Sequence, residues 1–332
     1  MDDVKTILVT GGCGFIGSSV VNQLLTRYPN VEVINIDALT YAADPTRVNA
    51  TDKYTLIERW IDDAHSTKEI IARTKPDLVI HLAAESHVDR SIENGLKFVD
   101  SNVRGTASIL EALKGTKIPI LYVSTDEVYG EAQDTRGFLE TDRKQPRNPY
   151  SATKAAGEDL VEAFANTFGV RFAITRGSNT YGARQNSEKF IPATVRRLRT
   201  GSPAVLYGDG QQVREWLHVE DHASAIIRVA ELLLSGLDDG GPFIYNIGSG
   251  VYGRNIDVFR QLAAASGAAN PSYELVRDRP GHDRRYSIDS RRLRRLGWQP
   301  EHSPAGPQEN GEFWPLEEAE VMAIVAAQSD IM

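Results

Sequence analysis

The stretch TILVTGGCGFIGSSVV, residues 6–21, joins a β-branched run to three glycines and then to the start of an apolar helix pattern. Gly11, Gly14 and Gly17 are spaced G-x-x-G-x-x-G, and Gly12 with Gly14 and Gly17 also reads as G-x-G-x-x-G. Glycines at these positions permit a tight turn. They also let backbone N–H groups approach a pyrophosphate at a helix N-terminus. A glycine-rich turn alone is weak evidence. Here it lies between a strand and a helix, and a second β-branched run, VEVINID (31–37), ends in Asp37. An acid at that point accepts hydrogen bonds from adenosine ribose hydroxyls and repels a 2′-phosphate, so the reading is a dinucleotide site preferring NAD to NADP.

Outward from this unit the alternation continues. DLVIHLA (77–83), PILYVST (119–125) and VRFAITR (170–176) read as buried parallel strands, with helix-period segments such as NVRGTASILEALK between them. The fold class is α/β, a doubly wound parallel Rossmann-type sheet. The second half carries turn-rich stretches among helices near 188–200, 219–235 and 255–267. It is expected to form a smaller, partly interleaved α/β lobe at the carboxyl side of the sheet. The expected division is 1–178 plus about 219–246 for the cofactor domain, and about 179–218 plus 247–332 for the second lobe.

A chain of 332 residues suits about two domains of ~150 residues. The formal net charge of −8 argues against a nucleic-acid partner, and SRRLRRLGW (290–298) reads as a solvated helix face. The single cysteine, Cys13, forms no internal disulfide and fits a reducing compartment. No apolar run approaches the ~18 residues of a membrane span. A cytoplasmic protein without a membrane partner is expected. His87 and His282 lack a carboxylate–histidine cluster at ligand spacing, so no metal is expected.

Two further stretches carry chemistry. In STDEVYG (124–130), Asp126 and Glu127 follow a buried run, at a strand end where ligands bind in such folds. Adjacent carboxylates separate their pKa values, which favours one protonated and one ionised group. An isolated Asp-Glu pair more often caps a helix or pairs with arginines. In NPYSATKAAGEDL (148–160), Tyr150 and Lys154 share a helix face behind Pro149. An ammonium there stabilises phenolate and is expected to lower the phenol's pKa.

With TGGCGFIG (10–17), HLAAESHVDRSI (81–92), STDEVYG, PYSATKA (149–155), LYGDGQQVREWLHVEDH (206–222) and DRPGHDRRYSID (278–289), the chain resembles the extended short-chain dehydrogenase/reductases from about residue 6 to 300. Within them it looks most like those that dehydrate nucleotide sugars. The Thr-Asp-Glu sequence is the discriminating feature, since 4-epimerases usually carry small or neutral residues after the Thr. The resemblance implies NAD-dependent 4,6-dehydration of a nucleotide sugar, dTDP-glucose first, with a UDP-sugar dehydratase or a 4-epimerase as the alternative. From another class, a non-catalytic NAD-sensing scaffold is opposed by the joint presence of Thr125, Asp126, Glu127, Tyr150 and Lys154. The implied roles are Glu127 as base, Asp126 as acid, Tyr150 as the base for the C4 hydroxyl, with Thr125 and Lys154 assisting.

The resemblance also implies cofactor contacts from Gly11, Gly14, Phe15, Ile16, Gly17, Asp37, Thr40, Ile61, Leu82, Ala83, Ala84, Ser101, Tyr150, Lys154 and Thr180. Substrate contacts are implied for Ser86, Thr125, Asn179, Lys189, Phe190, Val205, Tyr207, Arg214, Asn255, Arg279 and His282. It departs from the pattern at Arg59-Trp60-Ile61, where relatives have Gly-Asp-Ile. Adenine is expected to pack on the indole there rather than meet a carboxylate. Thr180 replaces an Asn, and the tail after GWQPEHSP lacks about ten residues of the pattern. Segments 102–114 and 151–168 resemble helices that pair across a twofold axis, so a homodimer is expected.

Overall fold

The computed structural model describes residues 1, 3–133, 136–236, 240, 243–302 and 324. The first half supplies strands β1 (Thr6–Thr10), β2 (Glu32–Asp37), β3 (Tyr54–Glu58), β4 (Leu78–His81), β5 (Ile120–Thr125) and β6 (Phe172–Gly177). The second half adds β7 (Asn179–Tyr181), β8 (Ala204–Tyr207), β9 (Val213–His218), β10 (Ile244–Ile247), β11 (Tyr252–Arg254) and β12 (Tyr273–Val276). Seven strands form one sheet in the order β10-β6-β5-β4-β1-β2-β3, with every neighbouring pair parallel. This is the doubly wound α/β class expected from the alternation.

A parallel sheet is stable only when both faces are covered, and the side-chain alternation of β1 shows how that is met. Ile7 and Val9 pack with Val20, Val21 and Leu24 of helix Phe15–Arg27 and with Ile226, Ile227 and Ala230 of helix Val219–Ser235. Leu8 points to the other face, into a cluster with Ile70, Ile109, Leu110 and Val161 from helices Ala64–Thr74, Gly105–Leu113 and Pro149–Phe168. The strand order reverses between β1 and β4, which opens a crevice beyond their carboxyl ends.

Two strands of this sheet were not singled out by the sequence pattern. β3 is half-exposed at one edge, so its apolar pattern is diluted. β10 arrives from the second half and closes the opposite edge beside β6. The remaining strands make a sheet β11-β9-β7 and a pair β12-β8. These surround a separate core of Tyr181, Val195, Leu206, Trp216, Ile256 and Phe259. The sequence expectation about the shortened tail falls outside the described residues.

Helix Pro149–Phe168 is placed by local chemistry. The Asn148 side chain accepts from Ser151 N at 2.8 Å, and the Ser151 hydroxyl lies 3.3 Å from Asn148 N. Pro149 has no N–H to leave unpaired at the first helical position. This capping sets Tyr150 in the first turn, with Lys154 one turn further along.

Candidate active site

At the end of β1 the chain turns through Gly11, whose φ of +74° is a left-handed conformation suited to glycine. A Cβ there would sit 2.7 Å from the Ala83 backbone, and one at Gly17 would lie 2.1 Å from the Gly11 carbonyl oxygen. Helix Phe15–Arg27 therefore packs directly against the turn. Its N-cap, Gly14, makes no side-chain cap hydrogen bond, so the first-turn N–H groups keep their capacity to bind an anion. At the end of β2, Asp37 accepts from Cys13 N and Leu39 N, each at 2.9 Å. Each carboxylate oxygen keeps a further lone pair for a ligand hydroxyl.

These groups border a cavity of about 340 Å³, within the range of small-molecule sites. A glycine cradle, an open helix N-terminus and an acid at the second strand end fit a dinucleotide. Gly11, Gly14, Phe15, Ile16, Gly17, Asp37 and Thr40 line one part of the cavity. Ile61, Leu82, Ala83, Ala84, Ser101, Tyr150, Lys154 and Thr180 line the rest, so every cofactor residue named from the sequence is brought together. Trp60 also borders it, with 51% of its surface exposed.

The catalytic candidates meet at the same cavity. Thr125 ends β5, and its hydroxyl accepts from Glu127 N at 3.3 Å, capping a single turn over Asp126–Tyr129. This turn sends the two acids into different surroundings. Asp126 is buried, and among the described residues its Oδ2 has no hydrogen-bond partner. Burial first, then the charges of Glu127 and Glu215, push its carboxyl well above the usual range, which favours the protonated form. Glu127 is supplied with donors instead. Its Oε2 accepts from Asn148 Nδ2 at 3.1 Å and faces the Tyr286 hydroxyl at 3.3 Å.

Lys154 donates from Nζ to the Val123 carbonyl at 2.8 Å and lies 4.2 Å from the Tyr122 ring centroid. Burial lowers its pKa to about 7. The expected depression of the Tyr150 pKa is not found in the protein alone. Burial and the Glu127 charge raise it, and only the Thr125 hydrogen bond works the other way. The physical reason is that a dry pocket disfavours both phenolate and ammonium.

A second cavity of about 150 Å³ adjoins the first, and Glu127 borders both. Ser86, Asn179, Lys189, Phe190, Arg214, Arg279 and His282 line it. Lys189 Nζ donates to the Ser86 carbonyl at 3.0 Å, while Asn179 Oδ1 has no partner among the described residues. Arg214 Nη2 donates to His282 Nε2 at 2.8 Å, and His282 Nδ1 lies 2.6 Å from Asp278 Oδ1. That pattern places the imidazole proton on Nδ1. Arg279 pairs with both oxygens of Asp89, at 2.6 and 2.8 Å.

Three residues named from the sequence line neither cavity. Tyr207 sits behind Arg279, whose guanidinium lies 4.1 Å from its ring centroid. Val205 lies within β8, and Asn255 opens helix Asn255–Ala265, its N–H bonded to the Gln212 carbonyl at 3.0 Å. Conversely, the sequence reading missed Asn148, Tyr286 and Glu215. The helix-start signal NPYS could have drawn attention to Asn148. Tyr286 and Glu215 lie within DRPGHDRRYSID and LYGDGQQVREWLHVEDH, but nothing in their spacing marks them as neighbours of the acid pair.

Residues 7–248 match the NAD dependent epimerase/dehydratase family. The chain belongs to this family. It is 42% identical over 301 residues to the low-salt glycan biosynthesis protein Agl12 of Haloferax volcanii, covering 90% of this chain and 94% of that protein. It is 40% identical over 324 residues to the dTDP-glucose 4,6-dehydratase of Haemophilus influenzae, with the same two coverages. Among solved structures, DesIV, a dTDP-glucose 4,6-dehydratase of Streptomyces venezuelae crystallised with NAD, superposes with a TM-score of 0.86 at 36% identity, over 98% of each chain. A UDP-glucose 4-epimerase of Thermus thermophilus, also with NAD, gives 0.83 at 27% identity, covering 98% of this chain and 100% of that one.

Proposed function

We propose that this family member is an NAD-dependent sugar-nucleotide 4,6-dehydratase acting on dTDP-glucose, yielding the 4-keto-6-deoxy sugar nucleotide and water. The observation that carries this reading is the contrast between Asp126, whose burial favours the protonated form, and Glu127, whose Oε2 accepts from Asn148 and faces the Tyr286 hydroxyl. An elimination needs one acid and one base on the same substrate, whereas a 4-epimerase has no departing hydroxyl to protonate. The dehydratases of known structure and sequence that resemble this chain support the same choice.

Held by the glycine turn and Asp37, NAD would accept the C4 hydride and later give it back at C6, and its oxidised form would bring a positive charge that favours phenolate. Tyr150 takes the proton of the C4 hydroxyl, with Thr125 holding that hydroxyl and Lys154 stabilising the phenolate. The resulting ketone acidifies C5–H, which Glu127 removes. Asp126 gives its proton to the leaving C6 hydroxyl, and water departs. A proton then returns to C5. The second cavity supplies Lys189, Arg214 and Arg279 as partners for the substrate pyrophosphate.

The cofactor domain is assigned to residues 1–178 plus about 219–246, and the sugar-nucleotide lobe to about 179–218 plus 247–332. Segments 102–114 and 151–168 are assigned to a homodimer interface. Among the described residues no helix is long and apolar enough to cross a membrane, and a cytoplasmic location is part of the proposal. Incubating the purified protein with a panel of nucleotide sugars and weighing the products tests the function. Loss of the mass of one water from dTDP-glucose supports it. An unchanged mass with an altered C4 configuration would indicate an epimerase instead.

A further inference from the structure

Behind Glu127 lies a chain of polar groups that the dehydration chemistry does not yet use. The Tyr286 hydroxyl is 3.3 Å from Glu127 Oε2 and 2.9 Å from Asp283 Oδ2. Asp283 is fully buried, and its Oδ1 lies 3.0 Å from Arg147 Nη1. Arg147 also pairs with Glu131, and its side chain is 43% exposed. The series therefore runs from the reacting carboxylate to the protein surface. Tyr286 is fixed within it by the Arg214 guanidinium, 4.3 Å from its ring centroid, while Arg214 Nη2 donates to the Asp283 carbonyl at 3.0 Å.

A phenol has one proton to donate and lone pairs to accept with. Placed between two carboxylates, Tyr286 serves one at a time, and the shorter contact goes to Asp283. Its oxygen is then free to accept from Glu127 once Glu127 has become protonated. Burial raises the Asp283 pKa, which suits it to receive a proton.

We infer that Tyr286 and Asp283 form a proton relay that clears Glu127 after it has removed the C5 hydrogen. This rests on the dehydratase reading. The C5–H bond breaks, its electron pair enters the enolate, and the proton goes to Glu127. Glu127 passes it to the Tyr286 oxygen as the Tyr286 proton moves to Asp283 Oδ2, so no phenolate forms and Glu127 is ionised again. Neutral Asp283 no longer holds Arg147, which keeps Glu131 as its partner. The protonated carboxyl then turns about its Cβ–Cγ bond, which carries the proton to the side Arg147 has left, and water takes it there. The reverse path returns a solvent proton to C5. Neither Tyr286 nor Asp283 touches the sugar in this scheme; both act through Glu127.

The test runs the unmutated protein, Tyr286→Phe and Asp283→Asn with unlabelled dTDP-glucose in deuterium oxide. The quantity read is the rate of deuterium entry at C5 divided by the rate of C4 oxidation, seen as NADH absorbance in a single turnover. C4 oxidation precedes any work by Glu127, so a general loosening of the site lowers both rates and leaves their ratio alone. Tyr286→Phe keeps the ring that stacks on Arg214. It should lower the ratio by about 10²-fold, the lower end of what a positioned proton-transfer group contributes. Asp283→Asn breaks the next link, should act in the same direction, and carries the test alone if the Phe variant does not fold. An unchanged ratio in either folded variant overturns the relay. If the unmutated protein does not dehydrate the substrate, the function reading falls and the relay with it; dehydration with an unchanged ratio removes the relay alone.

Discussion

The two adjoining cavities are built in different ways. The larger is formed mostly by the segments just beyond β1, β2, β4 and β5 at one end of a single sheet, so a short stretch of chain fixes each wall. The smaller is assembled from residues near 86, 127, 148, 179–190, 214 and 279–286. Its side chains are held by partners distant in sequence, such as Arg279 on Asp89 and Arg214 on His282. A glycine cradle can thus be encoded locally, whereas the smaller cavity depends on segments far apart in the chain being packed together. Glu127 borders both cavities, as do Ser86, His87, Asn179, Glu188, Lys189 and Phe190, and there the two styles of construction meet.

The sharpest way to break this comparison is to separate steps at the junction. Tyr150→Phe removes the base for the C4 hydroxyl, so almost no bound NAD should become reduced. Glu127→Gln preserves shape and leaves C4 oxidation possible, so NADH absorbance should accumulate while C5–H exchange falls by about 10²–10⁴-fold, the usual cost of losing a general base. Rapid-mixing absorbance and deuterium exchange measure the two halves. Normal C5 exchange in Glu127→Gln would assign the base elsewhere.

A smaller effect is expected within the second cavity. Arg214→Gln removes a cation proposed above as a partner for the substrate pyrophosphate but leaves the glycine cradle untouched. The KM for the nucleotide sugar should rise by about tenfold or more, the scale of a hydrogen bond to a charged group. NAD affinity, followed by fluorescence titration, should stay as it was. A matching loss of NAD affinity would mean that the two cavities are not separable.

The legibility of the sequence divides along the same line. Gly11, Gly14, Gly17 and Asp37 carry their meaning in spacing, because a turn, a helix start and a strand end fix them within one βαβ unit. Tyr150 and Lys154 are legible because one helix, with a strong capping signal, presents both. β3 and β10 escaped notice because edge position shortens or dilutes the apolar pattern. Tyr286 escaped because its contact with Glu127 spans 159 residues of chain. The resemblance implies a substrate contact for Tyr207, but the fold puts it one layer back, where its ring supports Arg279. Pairwise attraction across a fold leaves no periodicity to read.

In the larger cavity, Asp37→Ala should narrow the preference for NAD over NADP by about tenfold, the worth of one good hydrogen bond plus relief of repulsion. Asp37 also holds the N–H groups of Cys13 and Leu39, so Asp37→Asn serves as the control that keeps an acceptor in the loop while removing the charge. Both variants should accept NADP better, measured as the ratio of dissociation constants. Equal affinity for both cofactors in the unmutated protein would remove Asp37 as the discriminator.

The smallest expected effect concerns stability and tests whether Asp126 is held for chemistry at the fold's expense. Its folded-state pKa lies well above the ordinary carboxyl value, with burial the leading cause and Glu127 the next. A carboxyl with a raised folded pKa binds its proton more tightly in the folded protein than in the unfolded chain. The folded protein therefore loses stability as pH rises from about 4, where the unfolded carboxyl ionises, up through the folded value. Asp126→Asn cannot ionise and should lose less over that interval. Its unfolding free energy, read from denaturant curves at a series of pH values, should fall less steeply than that of the unmutated protein as pH rises above about 4. Dehydration should be abolished in the same variant, because an amide has no proton to give the leaving hydroxyl. If the two proteins show parallel stability profiles, Asp126 is not held protonated by its surroundings, and the contrast with Glu127 that supports the elimination chemistry loses one of its two sides.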